Sequence, residues 1–183
     1  MSGISKRLDD LRNAIQQDDF LEGKGLSNEV NIRMFCYEPK EEMIVRHFLD
    51  QLANDHLNCR IVHYDLYEVF LKICEQKRIL DGIPKLEEKR GKEFLEKQFM
   101  KMCDSKMFAS MLKYDNETKR DVIILSGVGK VFPFMRVHSL LEAMQPMFSV
   151  PIVVLYPGTF DGHYLKLFNK LKANEYYRAF NSL

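Results

Sequence analysis

The fold class is decided by the stretch Asp121-Val122-Ile123-Ile124-Leu125-Ser126-Gly127-Val128-Gly129-Lys130. Four consecutive apolar residues without polar alternation, followed by a glycine turn, predict a strand that is buried on both faces. The stretch Ile152-Val153-Val154-Leu155 has the same character, and Pro157-Gly158 is expected to end it. Two such strands indicate a parallel sheet that is covered by helices on both sides.

Further strands are predicted on the N-terminal side of this pair, at Asn31–Tyr37 and Cys59–Asp65, and the tail Tyr176–Phe180 is a candidate edge strand. Apolar residues at helical spacing predict helices around and between the strands. These helices are expected at Ile4–Gln17, Lys40–Leu52, Leu66–Leu80, Arg136–Met144 and Tyr164–Leu171. The alternation predicts an α/β three-layer sandwich with a mostly parallel central sheet, either Rossmann-like or degenerate P-loop-like.

The segment of about residues 84–114 is rich in Glu and Lys and is predicted to be a helical insertion. Gly91 and the Cys103-Asp104-Ser105 stretch are expected to divide it into two or three helices. Because the chain has no internal repeat, low-complexity tract or linker, residues 1–183 are predicted to form a single α/β domain. Right-handed crossovers would bring the loops after the four main strands to one sheet edge, where ligands and partners of such folds usually bind.

Charge and cysteine content argue against several function classes. A formal net charge of +1 provides no global electrostatic basis for nucleic-acid binding. No apolar run reaches the roughly 20 residues that span a bilayer, and the polar segment Met1–Asn13 lacks the pattern of a signal peptide. Four cysteines without metal-ligand spacing predict reduced, mostly buried thiols and a cytoplasmic protein. These cysteines are Cys36, Cys59, Cys74 and Cys103.

The turn Ser126–Lys130 is similar to a phosphate-binding P-loop but departs from its pattern G-x-x-x-x-G-K-[ST]. Ile124 stands at the first glycine position, and Val131 stands where a hydroxyl would bind the metal. Pro133 follows closely, so the next helix is expected to start late, with its amide groups away from the loop. The dinucleotide pattern G-x-G-x-x-G fails as well, because Phe132 replaces its third glycine. We interpret the stretch as a tight structural turn.

Candidate catalytic and metal-binding residues are incomplete sets. Ser126 lies at a strand end without a surrounding G-x-S-x-G, and Cys36 near the end of the first strand has no assigned base. Asp65 could act as the metal-holding acid of an ATPase, but a helix cap is the favoured role. Conceivable metal ligands, among which spacing marks no third partner, are His63, Asp65, His138, Asp161 and His163. No catalytic, cofactor-binding or metal residue is therefore predicted, and the chain is not expected to be an enzyme.

Three aromatic clusters occur, at Tyr64-Tyr67-Phe70, Phe132–Phe134 and Tyr176-Tyr177-Phe180. Aromatic residues can stack on nucleic-acid bases when basic residues accompany them, but here Arg136 and Arg178 stand nearly alone. The clusters are therefore predicted to lie in the core or in a protein interface, where exposed aromatics are good anchors.

Several short motifs follow one another along the chain. The looser N-terminal landmarks are Gly25–Glu29, Tyr37–Lys40 and Asp65–Tyr67. The more specific C-terminal motifs are Ser126–Phe134 with Arg136 and His138–Leu141, then Tyr156–Gly162 with Leu165–Phe168, and finally Asn174–Phe180. In this order the motifs resemble those of the BrxB family of BREX phage-defence systems. The resemblance runs from about Phe20 to the C-terminus and so covers nearly the whole chain.

The resemblance implies a small, non-catalytic accessory component of a BREX anti-phage system. Such a component is expected to need no cofactor and to work by binding other BREX proteins, the phosphatase-like protein PglZ above all. Contact with DNA is expected to be indirect or weak, and no membrane contact is expected. Two alternatives stay open: a degenerate nucleotide-binding switch built on Ser126–Lys130, and a DNA-contacting subunit of the same system.

Overall fold

A parallel sheet forms the centre of the molecule. The computed structural model describes residues 3–24, 31–160, 164–171, 174–175 and 180–182. The four main strands are β1 (Ile32–Tyr37), β2 (Arg60–Asp65), β3 (Asp121–Ser126) and β4 (Ile152–Phe160). They lie in the order β2-β3-β4-β1, and all neighbouring pairs are parallel. The remaining strands are β5 (Tyr164–Leu167), β6 (Asn174–Glu175) and β7 (Phe180–Ser182), of which β7 runs parallel to β1 as an edge strand.

Helices cover both faces of this sheet. Their bounds are α1 (Gly3–Ala14), α2 (Asp18–Leu21), α3 (Glu42–Leu52), α4 (Leu66–Gln76), α5 (Ile83–Arg90), α6 (Lys92–Met102), α7 (Ser105–Met111), α8 (Val128–Val131) and α9 (Val137–Met144). The connection after β1 runs along the sheet in one direction, and the connections after β2 and β3 run in the other. Because all of these crossovers are right-handed, the helices of the first connection and those of the other two must lie on opposite faces. Helices α1 and α3 accordingly pack on one face, and α4, α6, α7 and α9 pack on the other. The predicted three-layer α/β sandwich is confirmed.

The core explains why the central strands are apolar at every position. Val122 and Ile124 of β3 pack against the α1 and α3 side, whereas Ile123 and Leu125 pack against the α4 and α9 side. All four side chains are 0% exposed, and burying each stabilises the fold by about 1.5–3 kcal/mol. Neither face tolerates a polar residue, which is why no alternation is seen in the sequence.

The predicted helix at Tyr164–Leu171 is wrong, because β5 occupies residues Tyr164–Leu167 and a turn follows it. Burial alternates along β5: Leu165 and Leu167 are buried, whereas Tyr164 and Lys166 are exposed. This is the two-residue period of a strand. The partner is the end of β4, which continues through Pro157 to Phe160 instead of ending at Pro157-Gly158. A Cβ on Gly158 would overlap the carbonyl of Lys166, so the glycine permits this close backbone approach.

The predicted helical segment around residues 84–114 contains three helices, α5, α6 and α7. The chain breaks at Gly91, which has φ +81°, and again at Cys103–Asp104, as the sequence pattern indicates. Asp104 caps α7 by accepting hydrogen bonds from the amides of Lys106 and Met107, both at 3.0 Å. In the part of the chain that the structure describes, no helix has both the length and the apolar character to span a membrane.

Candidate functional site at the carboxyl edge of the sheet

Two adjoining cavities of about 260 Å³ and 230 Å³ lie at the carboxyl ends of β1, β2, β3 and β4. Parallel α/β sheets usually bind ligands in such a crevice, because loops from neighbouring strands leave toward opposite faces there. We call this region the carboxyl-edge site. It is defined by seven side chains that line one or both cavities: Tyr37, Glu42, Arg46, His63, Asp65, Ser126 and Lys130.

The turn Ser126–Lys130 is narrower than a phosphate loop. Gly127 has a left-handed backbone with φ +74°, and a Cβ at this position would overlap Oδ1 of Asp65. The one-turn helix α8 begins directly after it at Val128, so the expectation that helix starts late after this turn is wrong. The longer helix does begin late, at Val137 beyond Pro133. A glycine is needed at Gly127 to place Asp65 against the turn.

Asp65 and Lys130 form an ion pair across the mouth of the turn. Asp65 also caps α4, because its Oδ1 accepts a hydrogen bond from the amide of Tyr67 at 2.9 Å. Burial alone would raise the pKa of Asp65, but the hydrogen bonds from Lys130 and the Tyr67 amide outweigh it and lower that pKa. The carboxylate is therefore ionised at neutral pH. It is paired with the lysine side chain that a phosphate group would need.

The opposite wall of the turn is filled by an aromatic ring. Phe168 lies so close to Gly129 that a Cβ there would sit 2.6 Å from the ring carbons. Pro157 at the end of the parallel part of β4 lines the same cavity. Asp65 therefore lies against one side of the turn and Phe168 against the other.

A second ionic group at this edge is not apparent from the sequence. The hydroxyl of Tyr37 donates to Oε2 of Glu42 at 2.5 Å, and Nε of Arg46 donates to Oε1 of the same carboxylate at 3.0 Å. Burial, followed by the bond to Glu42, raises the pKa of Tyr37. The i, i+4 spacing of Glu42 and Arg46 is the only sequence signal, and it is common on exposed helices.

His63 and Ser126 meet at the ends of β2 and β3. Nε2 of His63 and Oγ of Ser126 are 2.8 Å apart and share a hydrogen bond. Partial burial lowers the pKa of His63, so the ring is neutral at pH 7 and can accept a proton. The sequence provided no base for Ser126, because the pairing depends on the register of two parallel strands. Among the described residues, Ser126 is the only hydrogen-bond partner of the His63 ring, so a group that orients the base is missing.

The conceivable metal ligands do not converge. Within the residues that the structure describes, no group of three or more His, Cys, Asp or Glu side chains could hold a metal ion. His63 and Asp65 line the carboxyl-edge site, whereas His138 lines a different cavity beside α9. Asp161 and His163 lie outside the described residues.

Cys36 lacks the character of a nucleophile. Burial raises its pKa to about 11, which outweighs the opposing effect of Arg7, so the thiol stays protonated at neutral pH. Cys59, Cys74 and Cys103 are free thiols too, and burial raises the pKa of each.

Most of the described aromatic side chains pack in the core. Phe70 stacks on Phe134 with ring centroids 5.1 Å apart and meets Phe99 edge-on at the same distance. Tyr67 stacks on Phe70 as well. The third predicted cluster, Tyr176-Tyr177-Phe180, has no described side chain.

Two exposed apolar side chains lie on α3, the helix that also carries Glu42 and Arg46 of the carboxyl-edge site. Met43 and Ile44 follow Glu42 in the first turn of α3 and are 69% and 40% exposed. Large apolar side chains on a surface are available for contact with another protein. Met43 and Ile44 thus share α3 with Glu42 and Arg46 and point away from the core.

Known proteins identify the family. A family model described as BREX protein BrxB matches residues 62–182. The chain belongs to the BrxB family. A BREX protein BrxB from Bacillus cereus (strain H3081.97) is 37% identical over 188 residues, which cover 98% of this chain and 97% of the relative. A BREX protein BrxB from Escherichia coli O9:H4 (strain HS) is 28% identical over 183 residues, or 97% of this chain and 90% of the relative.

The BrxB match includes much of the carboxyl-edge site. His63, Asp65, Ser126 and Lys130 fall inside the matched range 62–182. No solved structure matches this chain. Membership of the BrxB family makes the chain a component of a BREX system and confirms the resemblance of its motifs.

Proposed function

We propose that this BrxB protein is a cytoplasmic, non-catalytic component of a BREX anti-phage defence system that acts by binding other BREX proteins, PglZ above all. The observation that carries the proposal is the occupied turn at Ser126–Lys130. Asp65 and Phe168 fill its two sides, and Lys130 is already paired. A fold of the kind that often binds nucleotides thus presents its carboxyl edge without a phosphate cradle.

The surface beside this turn supports a binding role. Met43 and Ile44 are exposed on the helix that carries the Glu42–Arg46 pair, and large exposed apolar side chains are available as interface anchors. The four charged side chains that define the carboxyl-edge site form two ion pairs, Lys130–Asp65 and Arg46–Glu42. Neither pair leaves a charge free for catalysis or for phosphate.

Copurification tests the proposal directly. The chain and the PglZ protein of the same genome are purified separately, mixed at micromolar concentration and analysed by gel filtration and calorimetry. We expect a stable complex. The other BREX proteins of that genome are tested in the same way, and failure to associate with any of them would contradict the proposed function.

Nucleotide binding is the main alternative, and calorimetry with Mg²⁺-ATP distinguishes it. We expect no heat of binding at millimolar nucleotide with the wild-type chain. Binding that is lost in Lys130→Ala but retained in Lys40→Ala, a control at another position of the same sheet edge, would support the nucleotide-binding switch instead.

Catalysis by Ser126 is the second alternative, because His63 lies within hydrogen-bond distance of it. A fluorophosphonate probe labels activated serines: the serine oxygen forms a bond to phosphorus, fluoride leaves, and the base takes the proton. We expect no labelling of Ser126 above that of Ser110, an exposed control serine. Labelling that depends on both Ser126 and His63 would refute the non-catalytic role.

A further inference from the structure

A cavity of about 190 Å³ lies between the turn before α9 and the strands β4 and β5, apart from the polar cluster of the carboxyl-edge site. Its walls are apolar and mostly well buried; they include Val128, Met135, Val137, Leu165 and Leu167. Pockets for cofactors or drug-sized ligands usually measure roughly 300–1,000 Å³. The smaller volume fits a single apolar side chain.

Three polar side chains line the same cavity: Arg136, His138 and Tyr156. Arg136 is exposed, and its guanidinium forms no ion pair with any described residue. Burial lowers the pKa of His138, so its ring is neutral at pH 7. The permanent positive charge at this cavity is therefore that of Arg136, which favours a carboxylate with two acceptor oxygens.

No acidic side chain of the described residues forms an ion pair with this arginine. Glu142, one turn of α9 beyond His138, acts on His138 and is itself exposed, but it forms no ion pair with Arg136. Lys166 lies on the other face of β5 from Leu165 and Leu167, so Arg136 supplies the positive charge among the cavity-lining side chains. The local charge therefore complements an acidic group.

We infer that this cavity is a docking site for a segment of a partner protein in which an apolar side chain such as Leu stands next to a carboxylate. The apolar side chain fills the cavity, and Arg136 binds the carboxylate. Interface anchors of this kind sit in small, well-packed pockets, and arginine is enriched among the residues that dominate binding energy. The inference deepens the proposed binding function and rests on it for the identity of the partner.

Two small probes test the cavity without any partner. N-acetyl-leucine carries the apolar side chain and a carboxylate, whereas N-acetyl-leucine amide carries the side chain alone. NMR spectra of methyl-labelled protein should show shifts at Met135 and Val137 with the acid. We expect the amide to bind roughly tenfold more weakly or worse, because it lacks the charge-assisted hydrogen bonds.

Arg136→Gln supplies the decisive variant. Arg136 is exposed, so the fold should be retained, which the methyl spectrum itself reports. We expect Arg136→Gln to lower the affinity of the acid to that of the amide, while Arg90→Gln on α5, another exposed arginine without an ion pair, changes neither. Equal binding of acid and amide, or spectra in which Met135 and Val137 do not shift, would overturn the inference.

A second measurement uses the BREX partner identified by copurification. Arg136→Glu should weaken that complex at least tenfold, and Arg90→Glu should leave it unchanged. If the wild-type complex forms and Arg136→Glu has no effect, the docking inference fails and the proposed function stands. If no BREX protein binds the wild-type chain, the proposed function fails, and the two leucine probes still decide whether the cavity binds a carboxylate.

Discussion

At the residue scale, Asp121 is the charged side chain that the described part of the chain buries completely. Arg60 donates to its two oxygens from Nε at 2.9 Å and from Nη2 at 2.5 Å, and Thr118 donates through its hydroxyl at 2.6 Å and its amide at 3.0 Å. Tyr114 adds a hydrogen bond at 3.1 Å. Burial opposes ionisation, but these bonds outweigh it and lower the pKa of Asp121 to about 2.

Asp121→Asn should lower the free energy of unfolding by about 2 kcal/mol at pH 7, because the folded state holds the carboxylate more strongly than the unfolded chain does. A pKa that is lower in the folded state stabilises above the unfolded value near 4, and this stabilisation is lost as the pH falls toward 2. The difference between wild type and variant in urea unfolding should therefore shrink from pH 4 downward. Asp115→Asn, at an exposed site, serves as the control; a difference that stays constant down to pH 2.5 would contradict the assignment.

A comparison of three glycines distinguishes the effect of backbone conformation from the effect of the space available for a Cβ. Gly127 has φ +74° and no space for a Cβ, Gly91 has φ +81° with open space, and Gly82 has an ordinary φ with open space. Substitution by alanine should cost about 1–3 kcal/mol at Gly91, where only the backbone conformation opposes a Cβ, and almost nothing at Gly82. It should cost most at Gly127, where the Cβ would also overlap Asp65. Thermal unfolding of the three variants checks the order, and equal costs at Gly127 and Gly91 would mean that Asp65 moves away without penalty.

At the scale of elements, α5 is the helix with the weakest attachment. None of its side chains is buried, whereas the neighbouring α6 buries Leu95 and Phe99. Helices in water depend on tertiary packing, so an element without buried side chains opens with little free energy.

Hydrogen exchange should therefore be fastest in α5, slower in α6 and slowest in β3. The two helices are matched in charge, since each has three basic and two acidic residues, and α6 adds the two buried side chains within 11 residues against 8 in α5. Mass spectrometry of exchanged peptides provides the measurement. Protection of α5 equal to that of β3 would show that α5 is held by contacts beyond its own buried surface.

The strands differ in how far local sequence determines them. β3 and β4 were predicted because each contains four consecutive apolar residues, a pattern with few alternatives at that length. β5 was predicted as a helix because its leucines, Leu165 and Leu167, are flanked by Leu171 at a spacing that both structures allow. The strand forms because Gly158 lets the backbones of β4 and β5 approach, and this contact is not encoded within residues 164–167.

At the scale of the whole molecule, the net charge bears on whether DNA is a partner. A formal charge of +1 leaves little attraction for a polyanion. The isolated chain should therefore show no steeply salt-dependent binding to duplex DNA. Fluorescence anisotropy between 50 and 200 mM salt checks this, since each phosphate contact contributes about −0.9 to the slope of log K against log salt. A slope of several units would favour the DNA-contacting alternative.

Local sequence patterns determined the parallel α/β architecture, the division of the helical segment at Gly91 and Cys103–Asp104, and the family motifs. Each of these depends on residues close together in the chain, where apolar period, turn residues and motif order can be read directly. The single-domain organisation, the absence of catalysis and the PglZ partner stay predictions.

Only the tertiary structure decided how the carboxyl-edge site is built. Asp65 meets Lys130, and His63 meets Ser126, across 65 and 63 residues of chain. These contacts follow from the parallel register of β2 and β3 and from the left-handed turn at Gly127. A side chain's own sequence neighbourhood carries no information about which distant residue the sheet will place beside it, so the filling of the turn emerges only when the strands are aligned.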